Sequence, residues 1–206
     1  MVAKACLPKV AGFANRALRA AGRNGSPVVG SISRRPLWDG STVEIRPVAH
    51  GEGTLLREFR LRAVRDAPEA FYLPLDEEEK ATVDVWERWA TSGAETADRV
   101  MFVAAEIGDW LGMAGCSLRS DGSGVLDATG MWVVPTARGR GLGELLIDAI
   151  VDWGRHRGAV RMEFAVTESN AVAIRLYRRL GFEPTGRRRR LESNSGLTGM
   201  FMTRAL

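Results

Sequence analysis

The segment Met131–Gly143 (MWVVPTARGRGLG) constrains the fold more than any other part of the chain. A run of apolar and β-branched residues ends at Pro135, and a short loop of glycine and arginine leads directly into the amphipathic stretch Gly141–Arg157. This pattern predicts a strand, a tight loop and a helix in immediate succession. A strand that passes straight into an amphipathic helix indicates a sheet with helices packed against it, which is an α/β architecture.

The loop between that strand and that helix has the chemistry of an anion site. Gly139, Gly141 and Gly143 allow close backbone approach and backbone conformations that other residues disfavour. The N-terminus of the helix exposes unpaired N–H groups and the positive end of the helix dipole. Arg138 and Arg140 add guanidinium donors suited to phosphate oxygens. We interpret the loop as a binding site for a diphosphate.

Two common nucleotide-binding fingerprints do not match this loop. A dinucleotide fingerprint that starts at Gly139 and Gly141 needs a further glycine where the chain has Glu144. A P-loop needs Gly-Lys-Ser/Thr, which the loop lacks. A glycine-rich loop can also merely turn the chain, but the two arginines and the strand–loop–helix context favour an anion site.

Periodicity along the rest of the sequence predicts a mixed α/β domain without an internal repeat. Asp76 and Glu79 resemble a capping box at the start of a helix that continues past Trp86 and Trp89. Gly181 is placed to end the last helix. The other predicted strands are Val43–Val48, Arg99–Ile107, Trp110–Leu118, Gly124–Val134, Val160–Val166, Phe182–Leu191 and Leu197–Leu206, and the other predicted helices are Gly53–Val64, Gly141–Arg157 and Ala171–Leu180.

Composition divides the chain into a basic extension, residues 1–40, and a single domain, residues 41–206. Of the 206 residues, the first 40 carry seven basic side chains and one acidic one, a net charge of +6. The other 166 hold 22 basic and 24 acidic side chains, a net charge of −2, so we expect no nucleic-acid binding by the domain. The extension resembles a transit peptide in being arginine-rich and acid-poor; a flexible extension or an upstream start codon are the favoured alternatives.

Metal and membrane sites are not expected. The two cysteines, Cys6 and Cys116, match no zinc or redox spacing, and the two histidines are too few for a histidine cluster. No apolar run approaches the roughly 20 residues that span a bilayer. We therefore expect a cytoplasmic protein that uses no metal.

Two motifs in the domain resemble those of one enzyme family. Arg138-x-x-Gly141-x-Gly143 resembles the acetyl-coenzyme A signature of the GNAT superfamily of N-acetyltransferases, and Asn170–Phe182 (NAVAIRLYRRLGF) resembles its second hallmark, N-x-x-A-x-x-L-Y-x-x-x-G-F. The resemblance extends over Val43–Leu206 because the order of strands and helices also fits. It implies the GNAT fold, a mixed central sheet with helices on both faces and a splayed pair of strands that binds the cofactor.

The resemblance also implies a cosubstrate, acetyl-coenzyme A, and the residues that hold it. Its pantetheine arm would lie in the splayed gap against backbone groups, and its diphosphate would accept hydrogen bonds from backbone N–H groups of the signature. Asn170 would contact the pantetheine arm and also suits a helix N-cap. The implied cofactor-binding residues are Met131, Trp132, Val133, Arg138, Gly139, Arg140, Gly141, Leu142, Gly143, Glu144 and Asn170.

Two residues have the positions of catalytic groups in that family. Tyr177, two helical turns after Asn170, would protonate the departing thiolate; the alternative is a core aromatic. Asp127, on the strand that leads to the splay, would take the proton of the amine, directly or through water; the alternative is a charge facing solvent. Glu106 and Glu168 are weaker candidates for the base.

The acceptor implied by the resemblance is a primary amine of a small molecule or a peptide. Acceptor pockets in this family are built from variable loops, here around Ala67–Pro74 and Ser193–Thr198, which one sequence does not decode. The alternative function is a non-catalytic, acyl-coenzyme A-binding module that regulates or assembles with a partner. No membrane partner is expected, and a homodimer is left open.

Overall fold

A mixed eight-stranded sheet forms the centre of the molecule in the computed structural model, which describes residues 33–37, 40–95, 98–191 and 196–206. The strand order is β1-β2-β3-β4-β5-β6-β8-β7, and neighbours are antiparallel except the parallel pair β5–β6. The strands are β1 Ser33–Pro36, β2 Thr42–Pro47, β3 Arg99–Glu106, β4 Asp109–Leu118, β5 Val125–Val133, β6 Arg161–Thr167, β7 Glu183–Arg190 and β8 Thr198–Ala205.

Five α-helices and two short 3₁₀ turns accompany these strands in the described part of the chain. The helices are α1 Gly53–Asp66, α2 Leu75–Glu79, α3 Val83–Glu95, α4 Leu142–His156 and α5 Ala171–Arg179, and the 3₁₀ turns are Pro68–Ala70 and Pro135–Ala137. None of the helices described is long and apolar enough to cross a membrane. The predicted order of strands and helices from Val43 onward is confirmed, except that the second predicted helix is two helices, α2 and α3.

Helices cover both faces of the sheet. The Trp132 ring of β5 packs edge-on against Phe59 of α1, with ring centroids 5.1 Å apart. The next residue along β5, Val133, points to the opposite face and pairs with Gly112 of β4. A Cβ atom at Gly112 would lie 3.2 Å from Leu146 of α4, so α4 packs closely on that opposite face.

The helix predicted to begin at Asp76 differs from the structure in two ways. It is split into α2 and α3, and the first piece begins at Leu75 with Pro74 as its N-cap residue, so the predicted capping box is wrong. Glu78 of α2 is fully buried and accepts two hydrogen bonds from Arg60 of α1. This ion pair ties the short helix to α1.

The loop between β3 and β4 lies one residue earlier than predicted. Glu106 pairs with Asp109, so the hairpin loop is Ile107–Gly108. Both residues have positive φ angles, 51° and 90°. A two-residue hairpin loop requires this backbone because its twist matches the twist of the flanking strands. The sequence places an exposed isoleucine, which disfavours positive φ, at a position where turn chemistry normally selects asparagine or glycine.

A β-bulge in β5 opens the sheet. Met113 of β4 pairs with Trp132, whereas Gly115 pairs with Thr129, so two steps along β4 match three along β5. Gly130 lies within this extra step and has a φ angle of 67°. On the other side of β5, the parallel pairing with β6 covers only Val125–Asp127. Beyond these residues β5 and β6 have no ladder between them, which places a gap inside the sheet.

The first strand lies within the segment that composition assigns to an extension. Residues Ser33–Pro36 pair antiparallel with β2, and the Leu37 side chain that follows is buried in the core, with 7% of its surface exposed. A domain boundary at residue 40 is therefore wrong for these residues, which belong to the sheet. Residues 1–32, the rest of the predicted extension, lie outside the described residues.

We predict that removal of residues 1–40 destabilises the protein more than removal of residues 1–32. The longer deletion takes away β1 and the buried Leu37, whose burial contributes about 1.5–3 kcal/mol. At this chain length each kcal/mol lowers the thermal midpoint by roughly 2–4 °C, so the expected loss is about 3–12 °C. Calorimetric unfolding of the two truncated chains measures the difference, and equal midpoints would show that β1 contributes nothing to the folded state.

Candidate functional site

A cleft lies where β5 and β6 separate. Its walls come from both strands, from α4 and α5 and from the 3₁₀ turn after α1. The lining residues are Ala70, Ala114, Ala128, Thr129, Gly130, Met131, Ile147, Ile150, Phe164, Ala165, Val166, Thr167, Asn170, Ala173 and Tyr177. The lining is mostly apolar with a few polar groups, which is the usual composition of a site for a small organic ligand.

The edge of β5 that faces the cleft is free to bind an extended ligand. Its pairing to β6 ends at Asp127, and Ala128–Val133 continue along the cleft without a strand beside them on that edge. Backbone N–H and C=O groups at an open edge can bond to a ligand as they would to another strand. Met131 lines the cleft itself, whereas the Trp132 side chain points away toward α1.

The loop between β5 and α4 presents unpaired backbone N–H groups. Gly139 and Gly141 have φ angles of 81° and 85°, and nothing lies within 4 Å of a Cβ atom built on either residue. Within the described part of the chain, the N–H groups of Gly139, Gly141, Leu142 and Gly143 donate no hydrogen bond. Four free donors at the positive end of α4 form a site that fits a diphosphate.

Two of the predicted N–H donors are already used. The N–H of Arg138 donates to the carbonyl of Pro135 at 3.3 Å, and that of Glu144 donates to the carbonyl of Gly141 at 3.0 Å. The anion-binding backbone is therefore the stretch Gly139–Gly143, which is narrower than the stretch expected from sequence.

The guanidinium of Arg138 is directed at the protein. Its Nη2 donates to the carboxylate of Asp66, the last residue of α1, and its Nε donates to the carbonyl of Val133 at 3.1 Å. The Trp132 indole N–H donates to the same carboxylate oxygen at 2.9 Å. The Trp132 hydrogen bond, with a further one from Arg138, holds the pKa of Asp66 below its usual range, although desolvation acts in the opposite direction.

The guanidinium of Arg140 is also engaged within the chain. It donates to both carboxylate oxygens of Glu106, at 2.7 and 3.3 Å, and to the hydroxyl of Ser41 at 2.7 Å. In this structure both loop arginines pair with carboxylates of the chain, and their binding to phosphate stays a prediction. They hold the loop, and the same ion pair removes Glu106 as a candidate base.

Tyr177 lies in the wall of the cleft. Its ring packs on Phe164 with centroids 4.3 Å apart, and 6% of the residue surface is exposed. Burial raises the pKa of Tyr177 to about 12. Its hydroxyl forms no hydrogen bond to any described residue. It therefore stays protonated at neutral pH and is available as a donor to a ligand in the cleft.

Asn170 caps α5 and borders the cleft. Its side-chain oxygen accepts a hydrogen bond from the N–H of Ala173 at 3.0 Å, so the predicted N-cap is confirmed. The residue also lines the cleft, where its amide group can face a ligand.

Asp127 is held in an ion-pair network outside the cleft. Both of its oxygens accept hydrogen bonds from Arg119, at 2.6 and 2.8 Å. Arg119 also donates to Glu163 of β6, and Glu163 accepts a further hydrogen bond from Arg187 of β7. These bonds raise the pKa of Arg119, chiefly through Asp127. Asp127 and Glu163 are the last pair of residues in the β5–β6 ladder, so the network lies where the two strands stop pairing.

The geometry does not bring any predicted base to the cleft. Asp127 is not among the lining residues, and its two oxygens are both occupied. Glu168 pairs with Arg188 at 2.6 Å. No carboxylate belongs to the described residues that line the cleft. Sequence reasoning missed Arg119 and Glu163 because nothing local shows that the end of β4 and the strand β6 bring them together.

Comparison with known proteins identifies the family. The model of the acetyltransferase (GNAT) family matches residues 61–182, which include the opened strand pair, the glycine loop and α5. The chain belongs to the GNAT family. The predicted GNAT fold is thereby confirmed, with its mixed sheet, its helices on both faces and its separated strand pair.

Related proteins support the same family. The chain is 33% identical over 92 residues to aminoglycoside N(6')-acetyltransferase type 1 of Salmonella typhimurium, which covers 42% of this chain and 63% of that protein. It is 40% identical over 89 residues to streptothricin acetyltransferase of Streptomyces lavendulae, which covers 43% of this chain and 47% of that protein. The chain thus matches less than two thirds of the length of either relative.

A solved structure matches the fold of this chain over most of its length. The PaiA N-acetyltransferase of Thermoplasma acidophilum, in complex with coenzyme A, superimposes with a TM-score of 0.66 at 14% sequence identity. The match covers 80% of this chain and 99% of that one. At this identity the likeness concerns the fold.

We predict that Gly141→Val weakens coenzyme A binding by about 100-fold or more, because a branched side chain in the loop keeps the diphosphate from the free N–H donors. Gly158→Val is the matched control. Gly158, just beyond the other end of α4, also has a positive φ angle, 77°, and open space at its Cβ. Both variants bear a backbone strain of about 1–2 kcal/mol, so equal binding of coenzyme A to both by calorimetry would contradict the site.

We predict that Asp127→Asn lowers the free energy of unfolding by roughly 1–3 kcal/mol, because it breaks a half-buried network. It should leave acetyl transfer within a few-fold of the parent. Asp152→Asn, an exposed change on α4, is the control for both measurements. A loss of turnover beyond about 100-fold, with stability unchanged, would restore Asp127 as the base.

Proposed function

We propose that the protein transfers the acetyl group of acetyl-coenzyme A to a primary amine. The observation that carries this proposal is the opened β5–β6 pair, which joins an anion-binding loop at one end to the unpaired Tyr177 hydroxyl in its wall. An inert glycine loop would need neither the open strand edge nor a free hydroxyl beside it.

The residues present fit acetyl-coenzyme A. The free N–H groups of Gly139, Gly141, Leu142 and Gly143 would hold the diphosphate. The open edge of β5 at Met131–Val133 would bond to the pantetheine arm. Asn170 would orient that arm from the start of α5. When bound, acetyl-coenzyme A supplies an acetyl group activated as a thioester.

Tyr177 is the proposed hydrogen-bond donor to the sulfur atom that leaves with coenzyme A. With its pKa raised to about 12, Tyr177 is a weaker acid than an ordinary thiol of pKa about 8.5. Its main contribution is therefore a hydrogen bond from a hydroxyl that stays protonated, placed where negative charge develops. The raised pKa also keeps this donor intact throughout the physiological pH range.

The amine reaches the cleft without a carboxylate beside it. The polar groups along the described lining are those of Thr129, Thr167, Asn170 and Tyr177 together with backbone atoms. We infer that the amine gives up its proton to water, and that Asp127 positions the strands and does not act as the base. Turnover is then expected to rise with pH until the pH passes the pKa of the amine, because only the neutral amine attacks.

The acceptor side of the cleft is the segment that follows α1. Ala70 lines the cleft, and the backbone carbonyl of Glu69 accepts a hydrogen bond from the Thr167 hydroxyl. The Ala67–Pro74 loop predicted to form the acceptor pocket thus borders the cleft. The names of the two relatives above make small-molecule amines the first acceptors to test; peptide amines follow.

We predict that Tyr177→Phe lowers turnover by about 100- to 1,000-fold, because the variant loses the hydrogen-bond donor at the developing charge. Since the ring and its packing on Phe164 remain, coenzyme A affinity and the thermal midpoint should stay near those of the parent. Turnover at saturating acetyl-coenzyme A with the best amine found is the measurement. Near-parental turnover would exclude the role of the hydroxyl, and a parent that binds coenzyme A but acetylates nothing would indicate a binding module instead.

A further inference from the structure

A strip of charged and aromatic side chains runs across one face of the sheet beside the cleft. It starts with the network of Asp127, Arg119, Glu163 and Arg187 described above. Arg187 then stacks on Phe201 of β8, with its guanidinium carbon 4.2 Å from the ring centroid. The strip continues to Arg189 and Tyr72, which belong to β7 and to the acceptor loop.

The positive charges of this strip exceed its negative charges by one. The carboxylates of Asp127 and Glu163 pair with Arg119 and Arg187. Arg189 is the remaining cation, and among the described residues no carboxylate pairs with it. Of its two neighbours in the chain, Arg188 pairs with Glu168 and Arg190 is exposed.

Arg189 is held in place although it lacks an ionic partner. Its guanidinium carbon lies 4.3 Å from the centroid of the Tyr72 ring and 5.5 Å from that of Phe201. Its Nε nitrogen is buried and donates no hydrogen bond. A buried donor without an acceptor is costly, so Arg189 gains from an acceptor that reaches its guanidinium. Contacts with aromatic faces fix a planar guanidinium in one orientation.

The position of Arg189 connects it to the cleft. Arg189 pairs with Gly199 of β8, and Gly199 pairs with Thr167, which lines the cleft. Adjacent strands lie about 4.8 Å apart, so the backbone of Arg189 is about 10 Å from the cleft wall. Tyr72 follows Ala70, another lining residue, by two positions. Arg189 is therefore at the rim on the acceptor side.

We propose that the acceptor is an amine that also carries a carboxylate, and that Arg189 binds this carboxylate at the rim. The inference rests on the proposed acetyl transfer and names its substrate class. A guanidinium offers two parallel N–H groups that match the two oxygens of a carboxylate. The reacting amine lies in the cleft, which no carboxylate of the described residues lines, so the ionic contact to the acceptor is made at Arg189.

This charge arrangement disfavours a polycationic acceptor. An uncompensated Arg189 repels further ammonium groups on a ligand whose reacting amine is in the cleft. A linear amine with a carboxylate at its far end meets complementary charge at Arg189. The distance from rim to cleft favours several bonds between the two groups, as in ω-amino carboxylates.

The test compares ω-amino carboxylates of increasing length, from 4-aminobutanoate to 6-aminohexanoate, with their carboxamides, whose amines have nearly the same basicity. The protein variants are Arg189→Gln and Arg190→Gln. Arg190 is the adjacent residue on the other face of β7 and is exposed, so its change removes the same charge. For each protein, the ratio of kcat/KM for the carboxylate to that for the carboxamide is measured.

We expect the parent and Arg190→Gln to prefer the carboxylate, and Arg189→Gln to lose about 10- to 100-fold of that preference. A parent without the preference, or an equal loss in both variants, overturns the proposal. Arg189→Lys, which keeps the charge but not the paired donors, should lie between the parent and Arg189→Gln. If Arg189→Gln does not fold, the comparison of Arg189→Lys with the parent tests the proposal instead.

A binding measurement separates this inference from the proposed function. Calorimetric titration with 6-acetamidohexanoate, an acetylated product, requires no catalysis. Binding that is lost in Arg189→Gln and kept in Arg190→Gln supports the carboxylate site even if the parent acetylates no amine. Acetyl transfer by the parent to carboxamides alone, with no binding of this product, refutes the site and leaves the proposed function standing.

Discussion

The short parallel pairing of β5 and β6 is the constraint on which the rest of the structure depends. The two strands share a ladder only as far as Asp127 and Glu163, and then separate. The bulge at Gly130 lies three residues beyond the last paired step, and a bulge bends the strand that carries the extra residue. Strand separation leaves unpaired backbone groups, whose burial is unfavourable unless a ligand or water completes them.

Two sets of interactions keep this opening from closing or spreading. At the paired end, the network of Arg119, Asp127 and Glu163 joins β4, β5 and β6 by charge-assisted hydrogen bonds. At the bulge, Arg60 of α1 fills the space beside Gly130, where a Cβ atom would lie 3.0 Å from its guanidinium. Arg60 is in turn fixed by buried Glu78. The side chains at both ends of the cleft are thus held in place by the protein itself before a ligand binds.

Local sequence patterns predicted most of the fold and the backbone of the site. The apolar face of α4, the glycine that ends α5 and the glycine loop all depend on neighbours a few residues away, so periodicity and turn chemistry reveal them. The edge strand Ser33–Pro36 was missed because two of its four residues are exposed arginines and it has no apolar alternation. A long-range sheet contact stabilises it instead, and one sequence does not show such contacts.

The roles of the site side chains were less predictable, because they depend on partners distant in the chain. Arg138 and Asp66 are 72 positions apart, and Arg140 and Glu106 are 34 apart. Charge and motif alone suggested that both arginines face phosphate. Likewise, Asp127 has the sequence position of a base, but Arg119 occupies both of its oxygens. Backbone roles followed from the motif, whereas side-chain roles required the tertiary structure.

The arginine pairs explain why a loop that binds through its backbone also contains cations. Arg138 joins the loop to Asp66 and to the carbonyl of Val133, which needs donors in two directions from one planar group and cannot be reproduced by lysine. The acceptor loop begins at the residue after Asp66, so the same ion pair connects the two sides of the cleft. Arg140 fixes the other flank of the loop to β3. The free N–H groups of the loop are therefore oriented before any anion arrives, which reduces the entropic cost of binding.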